Sequence, residues 1–394
     1  MICVYIGPNG YGKTTKLHDE KKKLVGSGIK ENEILFLESE ILLMDEVKDT
    51  KDESKTMEFI LQELLMTSTS FSTAKSNFEK QISVEIRNNK AKMNSILSDI
   101  LSLNGNVATP GVDFIDDNPK MAFKNLVKID TNELKKKTGS GQRMQLILSL
   151  VAKSTTKKYI FLDEPEKYSH PSLLNRTAKL IKQLDLSGKT VYIATHSPKL
   201  ISMLDIPFSN ITIINDSSHN EKQVDFNRAV SSVSFSCINS MKKKEKSFYD
   251  AKLLEDNIKN SFYREFIECL FTSKIYLCEG INDKHFVLKA LKDEGKYFDD
   301  YCVFVTYGKF TMPVFEKLFS NLGIVTEVFF DEDTNLRNES LIHQEIDDYL
   351  EKLNGYEFKP NIEDELGYGG EKYNVLDFIE HLDNLSLIKG KYLK

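Results

Sequence analysis

The sequence lacks several features that mark membrane, secreted and zinc-binding proteins. It contains no Trp, no C-x-x-C pair and no apolar run of the roughly 18 residues that a membrane helix needs. Its start, MICVYIGPNG, has no basic segment before an apolar core, so we do not expect a signal peptide. The five cysteines are odd in number and scattered, which argues against a disulfide framework or a zinc site. We therefore expect a cytoplasmic protein with reduced thiols and no membrane partner.

The charge of the chain is unevenly distributed. Its 394 residues carry a net charge of −6 and allow two or three domains. Residues 273–394 hold 14 Lys and Arg against 24 Asp and Glu, a net charge of −10, whereas the remaining 39 basic and 35 acidic residues give +4. The first part can therefore supply positive charge for a phosphate backbone. The acidic part is either a solvated surface or a set of carboxylates that hold metal ions.

Apolar runs alternate with helical patterns along most of the chain, which predicts an α/β fold with mainly parallel sheets. We expect strands at 1–6, 33–37, 159–162, 190–194, 274–278, 303–307 and 325–330, and helices at 16–24, 144–153, 173–184 and 284–291. Apolar residues at three- and four-residue steps predict a helical insertion at about 41–130, used for self-association or partner docking. The alternative is that this stretch is simply more of the first domain. Residues 206–272 are less regular and are interpreted as a connector.

The segment GPNGYGKT at 7–14 satisfies the G-x-x-x-x-G-K-[ST] pattern and lies between a predicted strand and a predicted helix. In that context the glycines allow backbone N–H groups to wrap phosphates, and the helix N-terminus adds positive potential. Lys13 would reach the β- and γ-phosphates, and the Thr14 hydroxyl would bind Mg²⁺. The predicted nucleotide-binding residues of this loop are Asn9, Gly10, Gly12, Lys13, Thr14 and Thr15.

The segment YIFLDEPE at 159–166 is the expected second half of the nucleotide site. An apolar strand delivers Asp163 to the edge of the sheet where the phosphates lie, so its carboxylate can hold the Mg²⁺ water shell. Glu164, the next residue, can orient or deprotonate the attacking water. The alternative is a strand that ends in surface acids.

Two further segments resemble the ABC-type ATPases. TGSGQR at 138–143 is similar to the LSGGQ signature loop, with Ser140, Gly141 and Gln142 in matching places and Gly139 where LSGGQ has its Ser. ATHSP at 194–198 is similar to the switch-histidine segment of that family, and this resemblance implies that His196 is catalytic. The resemblance implies a head-to-tail homodimer, or a higher oligomer, in which the signature loop of one subunit covers ATP in the other. Gln62 is the candidate for the Q-loop glutamine.

A second acidic constellation follows in the last third of the chain. IYLCEGINDKHF at 275–286 predicts a strand that ends at Glu279, with Asp283 at the start of a helix. TEVFFDEDTN at 326–335 predicts a second strand that ends at Asp331 and Asp333. Carboxylates at adjacent strand ends suit Mg²⁺ or Mn²⁺, whereas zinc prefers nitrogen and sulfur ligands. Taken singly, each could also be a surface turn.

Together these acids resemble a Toprim domain, where an E-G-x-x-D turn and a D-x-D strand end bind metal for phosphodiester chemistry. An ABC-type ATPase followed by a Toprim domain is similar to the OLD (overcoming lysogenization defect) family of ATP-dependent nucleases. The resemblance implies domains at 1–205 and 273–394. It also implies a further metal ligand, Glu363, and a catalytic lysine, Lys372, both in PNIEDELGYGGEKY at 360–373.

The resemblance implies an ATP-dependent endonuclease in anti-phage defence. Its substrate would be DNA, with RNA as the second candidate, and a companion protein or RNA is a possible partner. Basic clusters at 135–137 and 242–244 are candidates for backbone contacts. The alternative is an ATP-gated sensor or scaffold whose Toprim domain holds a partner or a nucleic acid without cutting.

Overall fold

A computed structural model describes residues 1–8, 10–38, 92, 140–167, 170–214, 220–236, 246–296, 299–332, 341–370, 374–385 and 392–393. The predicted helical insertion therefore lies outside the described residues, apart from Lys92. By their contacts, the residues divide into two compact units. The first comprises Met1–Tyr5 and Gly12–Ile206, and the second comprises Ile6–Tyr11 and Pro207–Lys394.

The first unit alternates strands and helices. Its strands are β1 (Ile2–Ile6), β2 (Ile34–Leu37), β3 (Tyr159–Asp163) and β4 (Thr190–Ala194). Its helices are α1 (Lys13–Gly26), α2 (Ser140–Lys153), α3 (Pro171–Leu186) and α4 (Pro198–Leu204). The strands are parallel and lie in the order β2-β3-β4-β1. Since parallel strands end at one edge, the segments that follow β1, β3 and β4 meet there.

A row of stacked aromatic rings crosses one face of this sheet. Phe36, Phe161 and Tyr192 are direct neighbours in register on β2, β3 and β4. Their ring centroids lie 5.5 Å and 4.6 Å apart, and His18 of α1 stacks on Phe36 at 4.5 Å. Aromatic pairs add to the free energy gained from buried area. The row therefore helps to hold α1, and the loop before it, against the sheet.

The second unit contains an antiparallel pair of strands and a parallel sheet. The pair is β5 (Ile211–Ile214) and β6 (Glu221–Gln223). The parallel strands are β7 (Lys274–Cys278), β8 (Tyr301–Val305), β9 (Val325–Asp331) and β10 (Gly355–Phe358). They lie in the order β10-β9-β7-β8.

Helices connect the strands of the second unit. They are α5 (Phe226–Ser232), α6 (Ala251–Asn257), α7 (Tyr263–Cys269), α8 (Ile281–Asp293), α9 (Met312–Leu322), α10 (Leu341–Leu350), α11 (Ile362–Glu365) and α12 (Val375–Asn384). One core cluster packs α8 and α12 against the parallel sheet, with Phe286, Phe329 and Phe358 fully buried in it. The short elements β5, β6, α5 and α6 lie in 206–272, which we expected to be irregular.

The α/β prediction is confirmed in both units, whereas the ABC and Toprim assignments remain proposals. After its first piece, Ile6–Tyr11, the second unit continues from Pro207, so it includes connector residues 207–272 as well as 273–394. Within the described part of the chain, no helix is long and apolar enough to cross a membrane. Cys3, Cys269, Cys278 and Cys302 are free thiols, and Cys237 lies outside the described residues.

Candidate functional sites

The first candidate site lies where β1, β3 and β4 end. Gly12 directly precedes α1, and its φ angle of 91° favours glycine because a Cβ would be strained there. Gly12 caps α1, and the Lys16 N–H donates to its carbonyl at 2.8 Å. Lys13 and Thr14 therefore open the helix at the edge of the sheet where Asp163 ends β3.

Lys13 and Thr14 are held beside acidic residues. The Thr14 hydroxyl donates to Asp163 Oδ2 at 3.0 Å. Burial raises the pKa of Asp163, although the hydrogen bond from Thr14 partly opposes this. Lys13 is only 6% exposed, and burial lowers its pKa while the charges of Glu164 and Asp163 favour the protonated form. The arrangement places a buried lysine next to a carboxylate and a hydroxyl at the start of α1.

Glu164 is held in a strained conformation at the end of β3. Its φ is 46°, uncommon for a residue other than glycine, and its N–H donates to the Ala194 carbonyl at 2.8 Å. Its carboxylate lies 3.3 Å from His196 Nε2 and 3.0 Å from Lys167 Nζ. Burial, and then the charge of Lys13, lower the pKa of His196 while the charge of Glu164 opposes this, so the neutral imidazole is favoured. A carboxylate paired with a neutral imidazole can orient a water molecule.

Glu166 was not predicted as a site residue. Its Oε1 accepts hydrogen bonds from the Thr195 hydroxyl at 2.6 Å and from the His196 N–H at 2.9 Å. Its Oε2 is buried and has no hydrogen-bond partner among the described atoms. Burial raises the pKa of Glu166, while the bonds from Thr195 and His196 oppose the rise. Glu166 therefore fixes the backbone that carries His196. The sequence signal that could have identified Glu166 was its position as an acidic residue two residues after Glu164.

The other residues predicted for this site are only partly placed. Thr15 is exposed on α1. Ser140, Gly141 and Gln142 open α2, and only their backbone is described. Asn9 and Gln62 lie outside the described residues. The structure therefore brings together Lys13, Thr14, Asp163, Glu164 and His196.

The second candidate site lies at the edge of the parallel sheet of the second unit. Glu279 follows β7, Asp331 ends β9, and Glu363 lies in α11 after β10. The Glu279 N–H donates to the Phe329 carbonyl at 3.0 Å, and Glu279 Oε2 accepts from the Asp331 N–H at 3.3 Å. Asp331 Oδ1 in turn accepts from the Ile362 N–H at 2.9 Å. These bonds join the three strand ends into one acidic edge.

Asp283 completes this acidic edge from the first turn of α8. It is 4% exposed, and its Oδ2 accepts from the Gly280 N–H at 2.6 Å. Burial raises the pKa of Asp283 well above its usual value, and the charges of Asp331, Glu279 and Glu363 raise it further. The other three carboxyl groups are therefore close enough for their charges to act on Asp283. We call Glu279, Asp283, Asp331 and Glu363 the acidic cluster.

Two oxygens of the acidic cluster are buried without a hydrogen-bond partner among the described atoms, Asp283 Oδ1 and Glu363 Oε2. A buried carboxylate oxygen without a donor is costly, unless a cation is its partner. Even so, the described residues contain no group of three or more His, Cys, Asp or Glu arranged as a formed metal site. The carboxylates must rotate from their present hydrogen bonds to converge on one ion. Asp333 and Lys372 lie outside the described residues.

Lys309 and Asn282 support the acidic cluster, and neither was predicted. Lys309 Nζ donates to the Asp331 carbonyl and lies 3.0 Å from Asp347 Oδ1, and both side chains of this ion pair are buried. Asn282 Nδ2 donates to Glu363 Oε1 at 2.8 Å. The sequence signal for Lys309 was its place in YGKF, between two predicted strands. No such signal marked Asn282.

Comparison with known proteins does not identify a function for these sites. No protein-family model matches the chain, and no curated protein matches its sequence. Any functional assignment of the two sites therefore rests on their geometry and on the motifs of the sequence.

Proposed function

We propose that this chain is an ATP-binding and ATP-hydrolysing, metal-dependent nuclease of the OLD type that acts on DNA, with RNA as the second candidate. The observation that supports the nuclease half is the location of the four acidic-cluster residues at one edge of the sheet, with buried oxygens of Asp283 and Glu363 that lack a hydrogen-bond partner among the described atoms. The observation that carries the ATPase half is the contact of Thr14 with Asp163 beside the buried Lys13. On the family resemblance we also propose a homodimer or higher oligomer, a cytoplasmic location and a role in anti-phage defence.

At the first site, each residue has a defined task. Lys13 would bind the β- and γ-phosphates, and Thr14 and Asp163 would hold the Mg²⁺ that accompanies ATP. Glu164 and His196 would orient the attacking water, with Glu166 holding the His196 backbone in place. In a dimer, Ser140, Gly141 and Gln142 of the partner subunit would close the site.

At the second site, Glu279, Asp331 and Asp333 would be the main ligands of Mg²⁺ or Mn²⁺, with Asp283 and Glu363 in support. The donor set fits a hard cation because it consists of oxygens and because two of them are buried without partners among the described atoms. When bound, paired ions activate the attacking water and neutralise the leaving oxygen. Lys372 would stabilise negative charge on the phosphate.

A second candidate function is a sensor or scaffold that binds a partner or a nucleic acid without cutting. One observation favours it: each carboxylate of the acidic cluster already accepts a hydrogen bond, so the cluster is also stable as a purely structural element. The two functions differ in their response to divalent metal.

Replacing Lys13 by Ala is expected to weaken ATP binding at least about 100-fold. The variant loses the charged donor to the phosphates, and hydrogen bonds to charged groups contribute about 1.5–3 kcal/mol each. Glu164→Gln should bind ATP as the wild type does but hydrolyse it about 10²–10⁴-fold more slowly, because it loses the base. Equilibrium binding of a fluorescent ATP analogue and phosphate release measure the two effects. Lys22→Ala, an exposed lysine of the same helix, is the control. Unchanged binding by Lys13→Ala would show that the site is misassigned.

Mg²⁺ without nucleotide is expected to raise the melting temperature of the wild type, and Asp283→Asn should lose most of that shift. A ligand that binds only the folded state stabilises it by about 2.7 kcal/mol at 100 times its Kd. In chelator, Asp283→Asn should melt higher than the wild type, since the amide keeps an acceptor for the Gly280 N–H and removes a buried acid whose ionised form is disfavoured by burial and by three neighbouring carboxyl groups. Differential scanning calorimetry measures both shifts, with Glu380→Gln as the exposed control. An equal Mg²⁺ shift in Asp283→Asn would contradict the assignment.

A further inference from the structure

An exposed tyrosine follows β8 directly beside the acidic cluster. Tyr307 is 65% exposed, which is unusual for so large an aromatic side chain. Its φ is 54°, in the left-handed region that bulky residues seldom adopt. Glu164 at the first candidate site also has a positive φ, of 46°. Such strain persists where the surroundings impose it, and it is frequent at binding and catalytic positions.

The backbone on both sides of Tyr307 is fixed to the strand end that carries Glu279. The Thr306 N–H donates to the Cys278 carbonyl at 2.9 Å, and the Gly308 N–H donates to the Glu279 carbonyl at 3.0 Å. The Thr306 hydroxyl donates to the Gly308 carbonyl at 3.1 Å and closes the turn. Tyr307 is therefore held by hydrogen bonds that connect Thr306 to Cys278 and Gly308 to the proposed metal ligand Glu279.

A second ring supports Tyr307 from one side. Phe262 stacks on it with the ring centroids 4.6 Å apart and an interplanar angle of 22°. Phe262 ends a single turn of π-helix, Ile258–Phe262, that interrupts the helical run between α6 and α7. Single π-helical turns occur often at functional sites, because they displace the side chains that follow. The pair forms a platform, defined here as Tyr307 and Phe262.

We infer that this platform binds an unpaired nucleobase of a single-stranded nucleic acid whose phosphate lies at the acidic cluster. An aromatic ring held rigid and open to solvent can stack on any base, whereas the bases of a duplex are already stacked on one another. The inference deepens the proposed nuclease function and rests on it, since it gives the site a preference for single strands or unpaired ends.

Tyr307→Ala is expected to weaken binding of a fluorescein-labelled oligothymidylate about 5- to 150-fold, the range for loss of one stacked base. Tyr307→Phe, which keeps the ring, should bind as the wild type does, and Phe262→Ala should show a smaller loss. Fluorescence anisotropy at fixed salt measures the affinity, with Ca²⁺ in place of Mg²⁺ and the strand checked for integrity on a gel. Leu376→Ala, a 78% exposed apolar residue of the same unit, is the control.

Binding to two further nucleic acids distinguishes the contribution of base stacking from that of contacts with the phosphate charges. A blunt duplex should bind the wild type and Tyr307→Ala equally, and so should a strand of abasic sites with the same phosphates. Three results would each overturn the inference. Tyr307→Ala could bind oligothymidylate with the affinity of the wild type, or it could lose as much affinity for the duplex and the abasic strand as for oligothymidylate. The third result is that the wild type does not bind the single strand. Failure to cut with intact Tyr307-dependent binding would overturn only the nuclease proposal. Metal-dependent cutting with Tyr307-independent binding would overturn only the platform.

Discussion

Glu279→Ala is expected to lower metal-dependent cleavage of nucleic acid about 10³-fold. Glu279 follows β7, and its Oε2 is bonded to the Asp331 backbone, so the side chain joins the two strands of the acidic cluster. The charge stabilisation that a bound metal gives a transition state is several kcal/mol, and about 4 kcal/mol corresponds to a factor of about 10³. Asp331→Ala should have a similar effect, because Asp331 also accepts the Ile362 N–H and fixes the start of α11.

A matched control and a fold check accompany this prediction. Glu380→Ala removes an exposed glutamate of α12 in the same unit and should cut as the wild type does. Circular dichroism should show that Glu279→Ala keeps its helix content and melting transition. Cleavage that survives both Glu279→Ala and Asp331→Ala would place the reaction elsewhere in the chain.

Lys309→Ala is expected to destabilise the second unit by about 3–5 kcal/mol, the cost of leaving a buried charge without its partner. Lys309 is 3% exposed and Asp347 is fully buried, so water cannot replace the lost ion pair. Lys309 also holds the main chain of Asp331, and the effect should therefore extend to metal binding at the acidic cluster.

Replacing both partners tests whether the charge itself causes the loss. The double variant Lys309→Met, Asp347→Leu should recover most of the stability, since it leaves no buried charge. Lys359→Ala removes a lysine that is 62% exposed and pairs with Glu357, and it should cost less than about 1 kcal/mol. Urea unfolding followed by circular dichroism measures each free energy of unfolding. A loss for Lys309→Ala no larger than for Lys359→Ala would contradict the buried-pair account.

Most of the buried strands could be predicted from the sequence because they are short apolar runs with clear ends. The fully buried β5 and the strand β10 were missed, and β8 lies two residues before the predicted 303–307. The predicted strands 190–194 and 274–278 have the observed bounds of β4 and β7, and β3 is longer by Asp163 alone. Helix α1 begins at Lys13, three residues before the prediction, because the left-handed Gly12 caps it. The short polar strand β6 was missed because it has no apolar alternation.

The supporting residues of both sites were harder to predict, because they depend on contacts that are distant along the chain. Asn282 bonds Glu363 across 81 positions, and Glu166 reaches Thr195 across 29. A sequence motif specifies residues that lie close together along the chain, but it does not specify pairs that are distant along the chain. Asp163 and Glu279 were predictable since one ends a strand and the other directly follows one, where the fold class alone fixes the edge on which they lie. Lys13 was predictable because the motif GPNGYGKT places it at the start of the helix that follows the loop.

Cleavage of plasmid and single-stranded DNA by the wild type, with and without divalent metal, tests the central claim most directly. The acidic cluster would repel a phosphate backbone without bound cations, so we predict cutting with Mg²⁺ or Mn²⁺ and none in chelator. Parallel reactions with and without ATP show whether the first site controls the second. Cutting that persists in chelator, or no cutting with either metal in the presence or absence of ATP, would contradict the account. The second of these results would favour the sensor or scaffold function.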